Sequence, residues 1–191
     1  MRKIIALVQT SFDGLISTDT TKDNADTFDW YVGGEETNMY VQNMLDETSA
    51  ILLGRVTYEG FIQFWPKETG EFADRMNKTP KIVFAHPGKI KEVTWGKWDN
   101  ISLIDQNVEE EVRKLKQQPG KDMVILASAR LVQSFANADL IDEYRIPVHP
   151  SILGKGKRLF EDIGKRHKLK LVDVRTLDEQ IVLLHYELVK E

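Results

Sequence analysis

A glycine and an arginine stand between a short apolar run and an amphipathic segment, an arrangement that can hold a negatively charged ligand. Residues 50–53 predict a buried strand, and apolar residues recur at three- and four-residue spacing over 58–65, as on one face of a helix. Gly54 permits a tight turn between them. Because the first turn of a helix carries unpaired N–H groups and partial positive charge, Arg55 is unfavourable there unless an anion is also bound. Phosphate is a common ligand of such helix starts, and the alternative is an ion pair with Glu59.

Two other predicted strands end in segments that could contribute to the same site. Residues 123–127 predict a buried strand that leads directly into Ser128, a residue type that often caps a helix. Residues 3–9 predict a central strand that ends in a polar turn with Asp13 and a glycine. Ligands of α/β proteins often bind at the carboxyl ends of strands. We therefore expect these three strand ends to surround the site.

Length and composition predict a single domain that spans residues 1–191. Hydrophobic residues make up 41% of the chain and charged residues 29%, as in globular proteins. The net charge of −4 gives no overall attraction to nucleic acid or to an anionic membrane. The chain has no cysteine, which excludes disulfides, thiolate chemistry and cysteine-based metal sites, and no metal site is predicted. No apolar run is long enough to cross a membrane, and we expect a cytoplasmic protein.

Strand and helix patterns alternate along the chain. After the strand at 3–9, residues 10–34 predict a long loop, and residues 168–175 and 180–189 predict a C-terminal hairpin. Such alternation indicates an α/β sandwich with a mixed sheet that ends antiparallel. Between the loop and the hairpin, helices are predicted at 35–47, 55–65, 70–78, 108–118 and 128–136, and strands at 50–53, 81–85, 101–104, 123–127 and 141–148.

Several motifs in this order resemble the reductase domain of riboflavin biosynthesis, which belongs to the dihydrofolate reductase-like superfamily. They are SFDG at 11–14, LGRVTYE at 53–59 and LIDEYR at 140–145, followed by Pro150, Gly154, Gly156 and Phe160. The resemblance covers nearly the whole chain. It implies a three-layer α/β sandwich with a mixed eight-stranded sheet, the cofactor NADPH, hydride transfer to a small heterocyclic or ribosylamino-pyrimidine-like substrate, and a homodimer.

The resemblance also implies which residues bind the cofactor. Ala127 stands where relatives have the first glycine of a glycine-rich turn, and its methyl group either narrows the approach of the pyrophosphate or forbids a backbone conformation that glycine allows. Ser128 either contacts phosphate or simply caps its helix. His86 matches a position that contacts the adenosine half. The full set is Gly54, Arg55, Thr57, Tyr58, His86, Ala127, Ser128, Ala129 and Arg130.

Three residues are candidates for the substrate end of the site. Asp13, in the matched turn, is either near the substrate and nicotinamide or an ordinary turn-forming aspartate. Trp30 is either a stacking partner for a flat substrate or a lid residue. Glu35 follows Trp30 by five residues, much as the substrate-binding acid follows a tryptophan in dihydrofolate reductases, although acids are common in the first turn of a helix. Asp142 and Glu143 suggest structural pairing or a dimer contact instead of acid catalysis.

One departure from the family concerns the substrate. Where the riboflavin reductases have a lysine four residues before the matched serine, this chain has Leu7, so a cation that could meet a phosphorylated substrate is missing. The zinc-binding His and Cys ligands of an accompanying deaminase are missing as well. We therefore expect a stand-alone NADPH-dependent reductase with an unassigned substrate. The alternatives are dihydrofolate reductase itself, with Glu35 as the acid, and a nucleotide-binding module without turnover.

Overall fold

The computed structural model describes residues 1–18 and 30–189, and its centre is a mixed β-sheet. Its strands are β1 (Ile4–Leu7), β2 (Thr10–Ser11), β3 (Leu15–Ser17), β4 (Thr48–Gly54), β5 (Lys81–Phe84), β6 (Ile101–Ile104), β7 (Asp122–Leu126), β8 (Glu143–His149), β9 (Lys157–Arg158), β10 (Leu169–Leu177) and β11 (Ile181–Leu188). Eight of them lie side by side in the order β10-β11-β8-β1-β7-β4-β5-β6. The six from β8 to β6 run parallel, and β11 and β10 continue the sheet antiparallel. The implied eight-stranded mixed sheet is confirmed.

Helices cover both faces of this sheet, because its central strands are apolar on both sides. Alternate residues of β1 divide between two cores: Ile4 and Ala6 belong to one, Ile5 and Leu7 to the other. The helices are α1 (Glu35–Asp46), α2 (Arg55–Phe64), α3 (Glu71–Lys78), α4 (Val108–Gln117) and α5 (Ala129–Asn137), with a 3₁₀ turn at Trp65–Lys67. The first core packs on α4 and α5, and the second packs on α1, α2 and α3. The fold is therefore a three-layer sandwich.

The C-terminal hairpin forms as predicted. Strands β10 and β11 pair from Leu169 opposite Leu188 to Leu177 opposite Ile181, with a shift of register between Leu171 and Asp173. The two residues at its tip, Asp178 and Glu179, have φ of 49° and 61°. Two consecutive positive φ values are typical of the tight turns that match the twist of a hairpin.

The segment predicted as a long loop at 10–34 contains strands that its sequence did not indicate. β2 pairs with β8, and β3 pairs with β9 in a separate two-stranded sheet. These strands are two or three residues long, so their pairing depends on distant partners instead of a local apolar pattern. The remainder of the loop, residues 19–29, lies outside the described part of the chain. Within that part, no helix combines the length and apolar character needed to span a membrane.

Candidate active site

Two strand-to-helix junctions lie next to each other at the carboxyl edge of the sheet. β4 and β7 are parallel neighbours, and each leads directly into a helix, α2 and α5 respectively. The Gly54 N–H of the first junction donates a 2.9 Å hydrogen bond to Ser128 Oγ of the second. A Cβ atom on Gly54 would lie 2.5 Å from that hydroxyl oxygen. A side chain at position 54 would therefore displace the Ser128 hydroxyl from its present position.

The second junction has an unusual backbone. Ala127 and Ser128 have φ of 56° and 43°, so both adopt the left-handed conformation that glycine adopts most easily. The methyl group of Ala127 thus does not forbid the turn, although this conformation costs a non-glycine residue about 1 kcal/mol or more. The Ser128 side chain makes no capping hydrogen bond to α5, since its hydroxyl accepts from Gly54 instead.

The N-termini of α2 and α5 are electrostatically suited to an anion. Among the described α-helices, α1, α3 and α4 carry acidic residues in their first turn, whereas α2 and α5 carry none. Neither α2 nor α5 has a side-chain hydrogen bond at its N-cap. The first N–H groups of both helices are therefore left for another acceptor. Two such helix starts side by side fit the pyrophosphate of a dinucleotide.

Arg55 lies at the start of α2 and pairs with a neighbour on the same helix. Its Nη1 donates to both carboxylate oxygens of Glu59 at 2.8 Å. The two side chains are 39% and 47% exposed. Exposed pairs of this kind contribute little stability, so an incoming phosphate can compete with Glu59 for the guanidinium.

A cavity of about 470 Å³ opens beside the two junctions. The ends of β1 and β7 form its floor with Leu7, Gln9 and Leu126. Of the predicted cofactor-binding residues, those that line the cavity are Thr57, Ala127, Ser128 and Ala129. Side chains of α1, α2 and α3 complete the walls. The structure therefore brings part of the predicted cofactor set to an open cavity that is large enough for a small molecule.

A buried histidine that sequence reasoning missed supports the floor of this cavity. His149, at the end of β8, has no exposed surface, and burial lowers the pKa of its imidazole to about 4. The Val32 N–H donates to Nδ1 at 3.3 Å, so Nε2 carries the proton and donates to Gln9 Oε1 at 2.8 Å. The neutral His149 thus holds the oxygen of the Gln9 amide. Gln9 lines the cavity, and its amide nitrogen donates to no described residue.

Asp13 holds a neighbouring turn. Its carboxylate accepts hydrogen bonds from Ser11 Oγ at 2.7 Å and from the N–H groups of Leu153 and Gly154 at 3.1 and 2.8 Å. The Ser11 hydroxyl and the two N–H groups lower the pKa of this carboxyl to about 2. Asp13 is therefore ionised at neutral pH, and this geometry favours the turn-forming alternative over proton donation.

Trp30 and Glu35 lie at different depths. Trp30 is buried, and its ring meets the His149 ring edge-on at a centroid distance of 5.4 Å. Its carbonyl accepts from Ser151 Oγ at 3.0 Å, and Trp30 is not among the described residues that line the cavity. Glu35 is exposed on the first turn of α1 and also lies outside that lining. Trp30 therefore supports the site from behind His149.

Three predicted cofactor residues lie apart from the cavity. Tyr58 is buried, and its hydroxyl exchanges hydrogen bonds with the backbone of Thr94. His86 is exposed just after β5. Arg130 is exposed on α5 and lines a separate, polar cavity of about 450 Å³ that also includes Lys157.

The acidic pair at the start of β8 is structural. Asp142 forms an ion pair with buried Lys116 and accepts from the Ile4 N–H at 2.9 Å. Glu143 contacts Lys3, Arg145 and His185. Through these contacts the two carboxylates link β1, α4, β8 and β11, in keeping with the structural pairing that their position in the sequence suggested.

The residues missed by sequence reasoning carry only weak signals. Gln9 ends a predicted strand, and His149 directly follows another, but they are 140 positions apart. Five aromatic residues also line the cavity: Tyr31, Phe61, Phe64, Trp65 and Phe72. The helical spacing of Phe61 and Trp65 predicted a buried face, and only their position in the cavity lining distinguishes them from core residues.

Comparisons with known proteins place the chain in a family. The family model for the RibD C-terminal domain matches residues 2–183. "Uncharacterized protein YyaP" of Bacillus subtilis (strain 168) is 33% identical over 186 residues, which is 97% of this chain and 94% of that protein. Two solved structures have the same fold as this chain. RibD of Acinetobacter baumannii has a TM-score of 0.70 at 18% identity. The match covers 100% of this chain and 59% of the RibD chain. Dihydrofolate reductase of Enterococcus faecalis, complexed with NADP(H) and RAB-propyl, has a TM-score of 0.62 at 14% identity, covering 98% of this chain and 97% of its own. The chain therefore belongs to the RibD C-terminal domain family of reductases.

Proposed function

We propose that the protein is an NADPH-dependent reductase whose active site is the cavity beside the β4–α2 and β7–α5 junctions. One observation carries the proposal: two adjacent helix starts, both without acids in the first turn, stand beside an open cavity. A dinucleotide phosphate satisfies the unpaired N–H groups, and the cavity receives the reacting rings. The name of the fold neighbour from E. faecalis, a reductase complexed with NADP(H), supports the choice of cofactor.

The chain's own residues divide into three tasks. The N–H groups of α2 and α5, with Gly54, Arg55 and Thr57, bind the phosphates. When bound, NADPH supplies the hydride. Apolar side chains of α2 and α3 exclude water, and Gln9, held by His149, orients the substrate through its amide nitrogen. Asp13 and Trp30 act as positioning residues, because one holds the turn at 153–154 and the other packs on His149.

Titration of NADPH and NADH against tryptophan fluorescence tests the proposal, since Trp65 lines the cavity. We expect saturable binding that is tighter for NADPH. Arg55→Ala removes a charge-assisted contact and lowers NADPH affinity by about 10-fold or more, with a smaller effect on NADH. Glu59→Gln is the matched control, because it removes the competing carboxylate and leaves or improves NADPH affinity. Absence of saturable NADPH binding below millimolar concentration would exclude the function, and binding without NADPH oxidation on any carbonyl or pteridine substrate would favour the non-catalytic module.

We also propose a homodimer formed through the C-terminal hairpin. Leu169, Leu171 and Val174 of β10 and Val182 of β11 point to one face of the sheet, as their pairing partners show, and are 38–50% exposed. β10 is also an edge strand of the sheet. An exposed apolar face at an open edge is a typical site of association between identical chains.

Sedimentation velocity tests the dimer. We expect wild-type protein to sediment as a dimer at micromolar concentration and Leu171→Asp to sediment as a monomer, because a buried charge at the centre of the interface is unfavourable. Ile152→Asp is the control, since Ile152 is 75% exposed and lies outside this face. A wild-type monomer, or a dimer that both variants preserve, would contradict the proposed interface.

A further inference from the structure

Four aromatic residues in the cavity lining form one cluster, and its single polar group is the indole N–H of Trp65. Trp65 meets Phe61, Phe64 and Phe72 at centroid distances of 6.2, 5.1 and 5.2 Å. All four line the cavity instead of filling it, and Phe64 remains 52% exposed. An aromatic wall left open to solvent gains most from a ligand with flat apolar surface, because stacking and burial then act on the same area.

The described residues in the rest of the cavity lining carry no formal charge. Among the described residues that line it there is no Lys, Arg, Asp or Glu, and its polar groups are hydroxyls and amides, such as Gln9, Ser17 and Asn38. Leu7, which ends β1 at the cavity floor, is 3% exposed and apolar. Away from the starts of α2 and α5, a phosphate or carboxylate of the substrate would lose its hydration without a cation among the described lining residues to replace it. This part of the cavity therefore discriminates against charged substrates.

Gln9 determines which polar group the ligand presents. Because His149 Nε2–H donates to Gln9 Oε1, the amide oxygen is occupied and the amide nitrogen is left as a donor. Asp13 does not accept from the Gln9 nitrogen, since its carboxylate accepts from Ser11 and from the backbone N–H groups of residues 153 and 154. A ligand that matches Gln9 carries a hydrogen-bond acceptor, such as a ring carbonyl oxygen or a ring nitrogen.

We infer that the cavity selects an uncharged, planar, mostly apolar ring with one hydrogen-bond acceptor facing Gln9, and excludes phosphorylated or otherwise anionic substrates. This inference rests on the proposed function, because the selected ligand is a substrate only if the protein is a reductase. The aromatic wall stacks on the ring, and Gln9 sets its orientation. The substrate class thus differs from a ribosylamino-pyrimidine that carries a phosphate.

Calorimetric binding of a matched pair of probes tests the inference. The pair is 1,4-naphthoquinone and 1,4-naphthoquinone-2-sulfonate, which share a planar dicarbonyl ring and differ by one negative charge. The chain has no cysteine, so thiol addition to the quinone does not interfere. We expect the neutral probe to bind at least about 10-fold more tightly, with Gln9→Leu weakening it by about 10-fold. Equal or tighter binding of the sulfonate to the wild-type protein would overturn the inference, and unchanged binding to Gln9→Leu would overturn the role of Gln9.

A charge introduced into the wall provides a second test. Phe64→Lys places a cation at an exposed position of the cavity and is expected to shift the preference at least about 10-fold toward the sulfonate. Phe160→Lys is the matched control, because Phe160 is 47% exposed, packs beside Tyr144 and is not among the described lining residues. The same shift in both variants would contradict the placement of the ligand. NADPH binding is measured separately. If the protein binds NADPH but does not prefer the neutral probe, only the inference is refuted. If it prefers the neutral probe but does not bind NADPH, only the proposed cofactor is refuted.

Discussion

Ala127 shows how a single side chain can be at odds with its backbone. It follows β7 at the cavity with φ of 56°, and the next residue, Ser128, continues in the same region at 43°. Neighbouring constraints hold this conformation: Ala127 N–H donates to the Leu7 carbonyl at 3.3 Å, and Ser128 Oγ accepts from Gly54. The turn therefore stores backbone strain at the position where a cofactor phosphate is proposed to bind.

Ala127→Gly is expected to raise the free energy of unfolding by about 1 kcal/mol, because glycine adopts positive φ without a Cβ clash. Urea denaturation measures this change. Ala136→Gly is the control: Ala136 is buried within α5, so glycine there should lower stability by about 1 kcal/mol. A less stable Ala127→Gly protein would show that the methyl contacts at the cavity outweigh the backbone strain.

At the scale of elements, the hairpin tip positions α1. Asp178 accepts hydrogen bonds from the N–H groups of Gly34, Glu36 and Thr37 at 2.9, 3.0 and 3.1 Å. The Thr37 hydroxyl also donates to it, and these contacts lower the pKa of the carboxyl to about 2. A residue more than 140 positions away in the chain thus caps the helix whose side chains form one wall of the cavity.

Asp178→Ala is expected to lower the thermal unfolding midpoint by a few degrees near neutral pH. The folded-state pKa lies below the ordinary value of 3.8, so the stabilisation is complete above that value and is lost as pH falls through about 2. The difference between wild type and variant should therefore shrink between pH 4 and pH 2. Asp173→Ala on the same hairpin is the control, because Asp173 pairs only with exposed Arg175 among the described residues. Equal effects of the two substitutions would argue against a capping role.

At the scale of the whole molecule, one buried lysine links stability to pH. Lys81 is 1% exposed, donates to the Asn77 carbonyl at 2.7 Å and lies 4.5 Å from the Trp95 ring centroid. No carboxylate of the described residues pairs with it, and burial lowers its pKa to about 7. Between about pH 7 and 10.5 the unfolded chain binds a proton at Lys81 that the folded chain does not. The contribution of Lys81 to the free energy of unfolding therefore rises with pH in this range.

Lys81→Met is expected to be more stable than wild type at low pH, with the advantage narrowing by about 3 kcal/mol between about pH 6.5 and about pH 9.5. Chemical denaturation at several pH values measures the difference. Lys116→Met should behave oppositely, since it leaves buried Asp142 without its ion-pair partner and lowers stability by about 3–5 kcal/mol. A constant difference between wild type and Lys81→Met across this pH range would show that Lys81 stays charged in the folded state.

Sequence reasoning located the main strands, the helices, the hairpin and both strand-to-helix junctions, because those features are recorded in residues that are adjacent in the chain. Apolar spacing reports which face of an element is buried, and Gly54 and Ser128 marked the two turns before any contact was known. The resemblance supplied the eight-stranded mixed sheet, and the structure supplied the order of its strands. Residues 10–17 were predicted as loop because their strands are too short to show a pattern.

By itself, therefore, the sequence determined the class of fold, the family and the edge of the sheet at which a ligand is proposed to bind. The tertiary structure decided that Gln9 lines the cavity while His149 holds its amide oxygen, that Asp178 caps α1, and that Asp13 holds a turn. It also gathered the cluster of Phe61, Phe64, Trp65 and Phe72 in a cavity whose described lining residues carry no charge. The reason is physical: these arrangements depend on contacts between residues that lie far apart in the chain and meet only when the sheet and its helices have packed.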